Sequence, residues 1–466
     1  MNIKLTTQKK FLWIAGIGYF LTLIAYSVWS YGLTDPNLVY SHNSTFWQFQ
    51  QWAWATFFHN RPLQTTSFVA LIVLSFAGYA AIVSLFRRLG TVIATKKTLL
   101  KTCLLFVLLS SPLLFSNNAL SHDVFNYIFN ARMVVMYGAN PHAQVALHFD
   151  YDPWTRFMHN THTTAPYWYG WTAISLAPYI LGFGKFVLTW LNFRLFSLIG
   201  LLLYAGVIWL WQQQQQKKLF VWQLLAFLLN PLVVLELVSN SHNDMWMLAP
   251  ALAAFVLLWR GKDRFIWFPI SLLLLLFSAS TKYATLILLP LWFVSAALIQ
   301  KEYLIAIIAH RQSKLVGKIL SRVIESFSAR ILSFIWKILP LSLSCALFLP
   351  LLISRSQWFL PWYLTWSFSL LPLLLDTKRK TSSLVQLDLP LLAKVKSLMF
   401  GFKHRWILWM LALSISSLLR YIPWLSQGEY NPTVISQQIA ITWLGAVLIW
   451  LGFLLVEHLW LKRARA

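Results

Sequence analysis

Charge is what this sequence has least of. Only 11% of its 466 residues are charged, against roughly a quarter in an ordinary soluble domain, and just thirteen are acidic. With 58% of the chain hydrophobic, a water-soluble fold is excluded. Cysteine is nearly absent too: Cys103 and Cys345 both sit inside apolar runs, which leaves neither a disulfide framework nor a cysteine-based metal site. A dinucleotide fingerprint and a phosphate-cradling glycine loop are also missing, so no motif in the chain asks for a nucleotide.

What the sequence does have is apolar runs near twenty residues, recurring from Phe11 to Glu457. Each is long enough to cross about 30 Å of hydrocarbon as a helix, and a lone strand cannot satisfy its backbone there. The expected class is therefore all-α and polytopic. The formal charge of +25 does not point to nucleic acid, because Lys and Arg gather in short segments between the runs, as the positive-inside rule requires. Threading from Lys9 and Lys10 gives spans 11–31, 66–86 and 102–116, then a long polar outer loop over 117–187. Residues 166–184 look like a further span, yet counting them would invert every later basic loop. This Trp- and Tyr-rich stretch, broken by Pro178, is instead expected to lie as an interfacial helix on the outer leaflet.

The remaining spans fall at 188–211, 219–238, 245–259, 265–281, 283–300, 331–353, 361–375, 406–425 and 433–457. That makes about twelve, with both termini cytoplasmic. Every remaining basic cluster, Arg260–Arg264, Lys301–Arg330, Lys378–Arg405 and Lys462–Arg465, then lies inside. The expected division is a module over 1–375 that includes the outer loop, followed over 376–466 by a basic cytoplasmic loop and C-terminal helices.

About half of the acids fall near the outer face: Asp35, Asp123, Asp150, Asp152, Glu236, Asp244 and Glu429. Polar groups collected beside a membrane, away from the basic loops, point to a site. In Ser121–Arg132 a helix would put Asp123, Asn126, Tyr127 and Asn130 on one face and turn Arg132 elsewhere. Asp123 could equally be only a helix cap. Glu236, inside an apolar run, is either functional or a carboxyl reaching the headgroups or a buried Lys. After it come His242, Asn243 and Asp244; His-x-Asp in a loop is a weak metal signal. The 265–299 run needs a turn near Ser278–Lys282. That turn sets Lys282 at the outer surface, placed for an anionic lipid phosphate or simply snorkelling. Arg355, Trp362, Tyr363 and Arg420 add charge and amphipathic aromatics on neighbouring outer turns.

Five segments in order, SHDVFNYIFNARMVVMYGANPH, APYWYG, NPLVVLELVSNSHND, STKY and QWFLPWYLTW, resemble the bacterial GT-C glycosyltransferases that use polyprenyl-phosphate sugars, especially their mannosyltransferase-like branch. The likeness spans roughly 120–370. Ala165-Pro166 stands where that family has paired prolines, and no Asp-x-Asp immediately follows the third span, which leaves a divalent cation an open question. The resemblance implies transfer of a hexose, mannose favoured, from a membrane-embedded polyprenyl phosphate to an extracytoplasmic glycan or lipid hydroxyl, with inversion. It makes Asp123 the general base and gives the departing phosphate to Lys282, with Arg132 or Arg420 as further ligands. Glu236 or Asp244 would sit near the oxocarbenium-like ring. Tyr127, Asn126, His242, Asn243, Trp362 and Tyr363 complete the expected substrate contacts. The partners are the donor, the acceptor and membrane lipids, in a bacterial plasma membrane. A transporter or flippase of lipid-linked saccharides is the other class considered, though internal repeats and mid-membrane helix breaks are not evident in the sequence.

Overall fold

The computed structural model describes residues 2–34, 43–89, 92–261, 263–311, 335–358, 360–375 and 390–463. Asp35 and most of the basic stretches Lys301–Arg330 and Lys378–Arg405 lie outside them. Among the described residues there is no strand; one isolated antiparallel bridge joins Ile93 to Phe220.

The chain runs through α1 (Asn2–Ser30), α2 (Ser44–Phe57), α3 (Arg61–Leu89) and α4 (Lys96–Ser110), then a 3-10 turn, Ser111–Phe115. Helix α5 (Asp123–Tyr137) and α6 (Tyr169–Ile180) occupy the long loop 117–187 before α7 (Phe186–Gln214). Next come α8 (Val221–Leu228), α9 (Pro231–Val233) continued by a π turn (Val234–Ser239), α10 (Asp244–Arg260), α11 (Trp267–Thr281) and α12 (Leu289–Arg311). Helix α13 lies in the span Ile335–Leu352, followed by α14 (Ser354–Trp358), α15 (Leu360–Phe368), α16 (Leu371–Leu374), α17 (Pro390–Leu419), α18 (Ile422–Gln427) and α19 (Pro432–Arg463).

Eight stretches among the described residues are long and apolar enough to cross a bilayer: Lys10–Leu33, Arg61–Leu89, Lys96–Phe115, Phe186–Gln214, Tyr283–Gln300, Ile335–Leu352, Leu398–Gln427 and Pro432–Trp460. A ninth is the pair Val221–Leu228 and Pro231–Ser239, bent by 51°. Pro231 is the cause of that break, because it has no N–H to continue the ladder. By length and apolarity the count is thus eight or nine, short of the expected twelve. The three stretches that fall short are α10, of 17 residues, α11, of 15, and the run 361–375, which splits into α15 and α16. Asp244 opens α10 and Lys282 closes α11, the two joined by an ion pair, and Pro372, which has no N–H, stands at the break between α15 and α16. A helix break, whose absence from the sequence had counted against a transporter, is therefore present at 229–230.

With no water in lipid to reward helix association, small hydroxyls do part of the joining. Ser278 donates to the Met247 carbonyl at 2.6 Å, Ser271 to Ala254 at 2.8 Å, and Ser344 pairs with Ser367 at 2.9 Å. The loop 117–187 has its own core. Val124, Phe125, Tyr127, Ile128 and Ala131 of α5 pack with Phe157, Tyr167, Trp171 and Tyr179, against Trp190 and Phe193 of α7. Helix α6 has twelve residues, about 18 Å of rise, too short to cross; Tyr169, Ile180, Leu181 and Phe183 are exposed along and just beyond it.

Candidate active site

Three breaks in helical structure converge on one place. Helix α5 begins at Asp123, the π turn carries Glu236 and leads through Asn240–Asn243 to Asp244, and α11 ends just before Lys282. A π turn inside a helix is uncommon and often marks function. Ser241 also takes φ +60°, a left-handed conformation that a non-glycine residue rarely adopts. This strained corner aims His242 inward.

Asp123 is the only one of the three carboxylates with solvent access, its side chain 25% exposed against 0% for Glu236 and Asp244. Its Oδ2 accepts from Tyr127 at 3.3 Å and Tyr167 at 3.2 Å. Burial, with the Asp123 charge beside them, pushes both phenols well above their ordinary pKa, so they stay protonated and remain donors. The backbone N–H of Asp123 lies 3.4 Å from Ser121 Oγ, and His122, not Asp123, holds the N-cap position, without a side-chain cap bond. Capping alone therefore does not account for Asp123.

His242, fully buried, stands between two acids: Nδ1 lies 3.6 Å from Asp123 Oδ2 and Nε2 3.5 Å from Glu236 Oε2. Its ring stacks on Trp362, centroids 4.0 Å apart. Glu236 accepts from Tyr421 at 2.9 Å and from Asn240 at 3.0 Å. The alternative that it reaches headgroups or pairs with a lysine is not what the fold provides. Lys282 is 4% exposed and does not snorkel: its ammonium donates to Asp244 Oδ1 at 2.7 Å and Asn243 Oδ1 at 3.4 Å. It also lies over the rings of Tyr167, Tyr363 and Trp366, 4.7, 5.0 and 5.4 Å from their centroids, a cation–π cage. Trp366 Nε1 donates to the same Asp244 oxygen.

Asp123, Tyr127, Glu236, His242, Asn243, Asp244, Lys282, Trp362 and Tyr363 are thus brought into one constellation. Asn126 is buried on α5, and its Oδ1 has no hydrogen-bond partner. The other two cations are engaged elsewhere. Arg132 pairs with Asp152, donates to Tyr179 at 3.2 Å and lies over Trp154. Burial opposes ionisation of Asp152, but bonds from Arg132, Tyr137 and the Trp154 N–H outweigh it and hold the carboxyl below its usual range. Arg420 donates to the carbonyls of Gln357 and Trp358. Among the described residues no three His, Cys, Asp or Glu side chains converge as a metal site requires.

Sequence reasoning passed over Tyr167, Trp366, Asn240 and Tyr421, which lie inside or beside the segments it singled out, and it missed Arg194 altogether. Arg194 is fully buried within α7 and donates to the carbonyls of Leu114 and Ser239 and to Asn118 Oδ1. It thereby ties the lead-in to α5 to the end of the π turn. A lone arginine inside a membrane span was the available signal.

No curated protein and no solved structure matches the chain. A family model described as "Alpha-(1->6)-mannopyranosyltransferase, N-terminal domain" matches residues 24–321, a stretch that begins in α1 and takes in Asp123, Glu236, His242, Asp244 and Lys282. Since that is well over half of the 466 residues, the chain belongs to the membrane α-(1→6)-mannosyltransferases, a GT-C family of glycosyltransferases.

Proposed function

We propose that this protein is an inverting mannosyltransferase that takes its sugar from a polyprenyl-phosphate donor at the extracytoplasmic face of a bacterial plasma membrane. The acceptor is a glycan or glycolipid; an α-(1→6) linkage makes its nucleophile the primary hydroxyl of a hexose. One observation carries the reading: a single partly exposed carboxylate, Asp123, oriented by two phenols, stands in the same constellation as the buried cation Lys282.

In the reaction the acceptor oxygen attacks the anomeric carbon while Asp123 takes its proton. The C–O bond to phosphate breaks with its electron pair going to the phosphate. Asp244 and Asn243 take two of the three ammonium hydrogens of Lys282, and the third is assigned to a phosphate oxygen. Of the cations Lys282, Arg132 and Arg420, Lys282 is the one whose surroundings support this role. The tyrosine and tryptophan rings around it offer faces for the sugar. Helices α10, α11 and α15 with α16 would complete twelve crossings with both termini cytoplasmic, and α6 would lie on the outer leaflet. The catalytic module is assigned to 1–375, with Tyr421 from the C-terminal helices closing its Glu236 wall.

The test is Asp123→Asn. The amide still accepts from Tyr127 and Tyr167 but cannot take a proton, so turnover with a polyprenyl-phosphate mannose donor should drop about 10²- to 10⁴-fold while unfolding stays unchanged. Undiminished turnover in a folded variant removes Asp123 from the mechanism.

A further inference from the structure

His242 is 1% exposed, and neither ring nitrogen has a hydrogen-bond partner. Buried polar groups are paired in the great majority of cases, and leaving one unpaired costs about 1–3 kcal/mol. A histidine serving only to fill space would be expected to satisfy at least one nitrogen. Here each has a carboxylate oxygen close by but unbonded, 3.6 Å away at Asp123 Oδ2 and 3.5 Å at Glu236 Oε2. A neutral imidazole carries one hydrogen, so with both acids ionised one of the two gaps is always a pair of lone pairs facing each other. A second proton turns the ring into a donor to both sides. Closing each gap by about 0.7 Å would then bring both into hydrogen-bond range, a tightening common once a site is loaded.

We infer that His242 holds the acceptor's proton behind Asp123, with Glu236 stabilising the imidazolium that forms. The inference rests on Asp123 being the base. The acceptor O–H bond breaks and the proton passes through Asp123 Oδ2 to His242 Nδ1; Nε2–H donates to Glu236, which stays ionised. The new glycosidic C–O bond forms as the phosphate departs with its electron pair. After product release the proton returns through Asp123, the one acid of the three open to solvent. Trp362, stacked at 16° to the imidazole, restrains the ring plane between the two acids. Tyr421 and Asn240 hold Glu236 in place on the far side. Among the described residues, the titratable and charged groups around the ring and its two acids include Tyr127, Tyr167 and Tyr363 beside Asp123, Tyr421, Tyr26 and Arg420 beside Glu236, and the Lys282–Asp244 pair beyond Tyr167.

The experiment compares His242→Gln, His242→Ala and Asp123→Asn in the full chain in lipid nanodiscs, with a polyprenyl-phosphate mannose donor. His242→Gln should lower kcat about 10²-fold with KM for the donor little changed. His242→Ala should recover at least about 10-fold on adding imidazole and not on adding pyrazole, a ring of the same size and far weaker basicity. A merely structural histidine would respond to both rings alike. Wild-type kcat in folded His242→Gln, or rescue by pyrazole equal to that by imidazole, overturns the inference. If Asp123→Asn is inactive while His242→Gln is not, the base stands and only the proton-holding role falls. If Asp123→Asn is active, the reading of Asp123 fails first and takes this inference with it.

Discussion

The Lys282–Asp244 pair separates holding the fold from binding the donor, which single substitutions confound. Lys282→Gln leaves Asp244 buried, with the Trp366 N–H but no cation; breaking such a pair from one side costs about 3–5 kcal/mol. Asp244→Asn leaves the ammonium over three aromatic rings at 4.7 to 5.4 Å. Cation–π attraction worth about 0.5–2 kcal/mol offsets part of the loss, so about 2–3 kcal/mol is expected. In Lys282→Gln with Asp244→Asn no charge is stranded, and two amides can bond across the same 2.7 Å contact. Its destabilisation should fall to about 1 kcal/mol, giving a coupling energy of about 4–7 kcal/mol between the two positions. Equilibrium unfolding in mixed micelles measures the cycle. Additive losses, with coupling under about 0.5 kcal/mol, would refute the account of the pair. The double variant then reports the chemistry: with stability restored, KM for the donor should stay raised at least about 10-fold, since about 1.4 kcal/mol is tenfold and a charge-assisted bond to phosphate is worth that or more. Donor binding recovered along with stability would make Lys282 a structural residue only.

Two further outcomes follow from the packing. At Gly170 an added Cβ would sit 2.7 Å from the Ser280 carbonyl carbon and 2.8 Å from its oxygen, so Gly170→Ala must push α6 off α11 and carry Tyr167 away from Lys282. A loss of about 1–3 kcal/mol and about 10²-fold in turnover is expected. Gly206→Ala, with nothing within 4 Å, is the control, and equal behaviour of the two would refute the close approach. Asp152→Asn removes the carboxylate that Arg132, itself 13% exposed, needs, and should destabilise by about 2 kcal/mol at pH 7. Because the folded carboxyl is held below its ordinary range, its contribution is present above the unfolded value near pH 4 and fades as pH falls through the folded one. The gap between wild type and Asp152→Asn should therefore narrow below about pH 4; a constant gap across pH would show that Asp152 does not act through its charge.

The sequence by itself determined the membrane class, because span length and charge parity are local quantities that the bilayer imposes one segment at a time. A helix from about Ser121, seen over 123–137, the turn at Lys282 and a short helix within 166–184 were legible for the same reason. Each follows from a few neighbouring residues, and the acid-bearing face of α5 needed only helical spacing. The span count was less legible, since α10 and α11 are bounded by Asp244 and Lys282, which pair across the site, and the 361–375 run is split at Pro372. What only the tertiary structure decided was partnership. Lys282 meets Asp244 from 38 residues away and Tyr421 meets Glu236 from 185, and His242 falls between Asp123 and Glu236. The first two pairings turned a charge read as lipid-facing or headgroup-seeking into a buried group with a named neighbour. No periodicity encodes such a meeting: hydropathy sets the depth of a residue, but rotation of each helix, the bend at Pro231 and the strained corner at Ser241 decide what it faces.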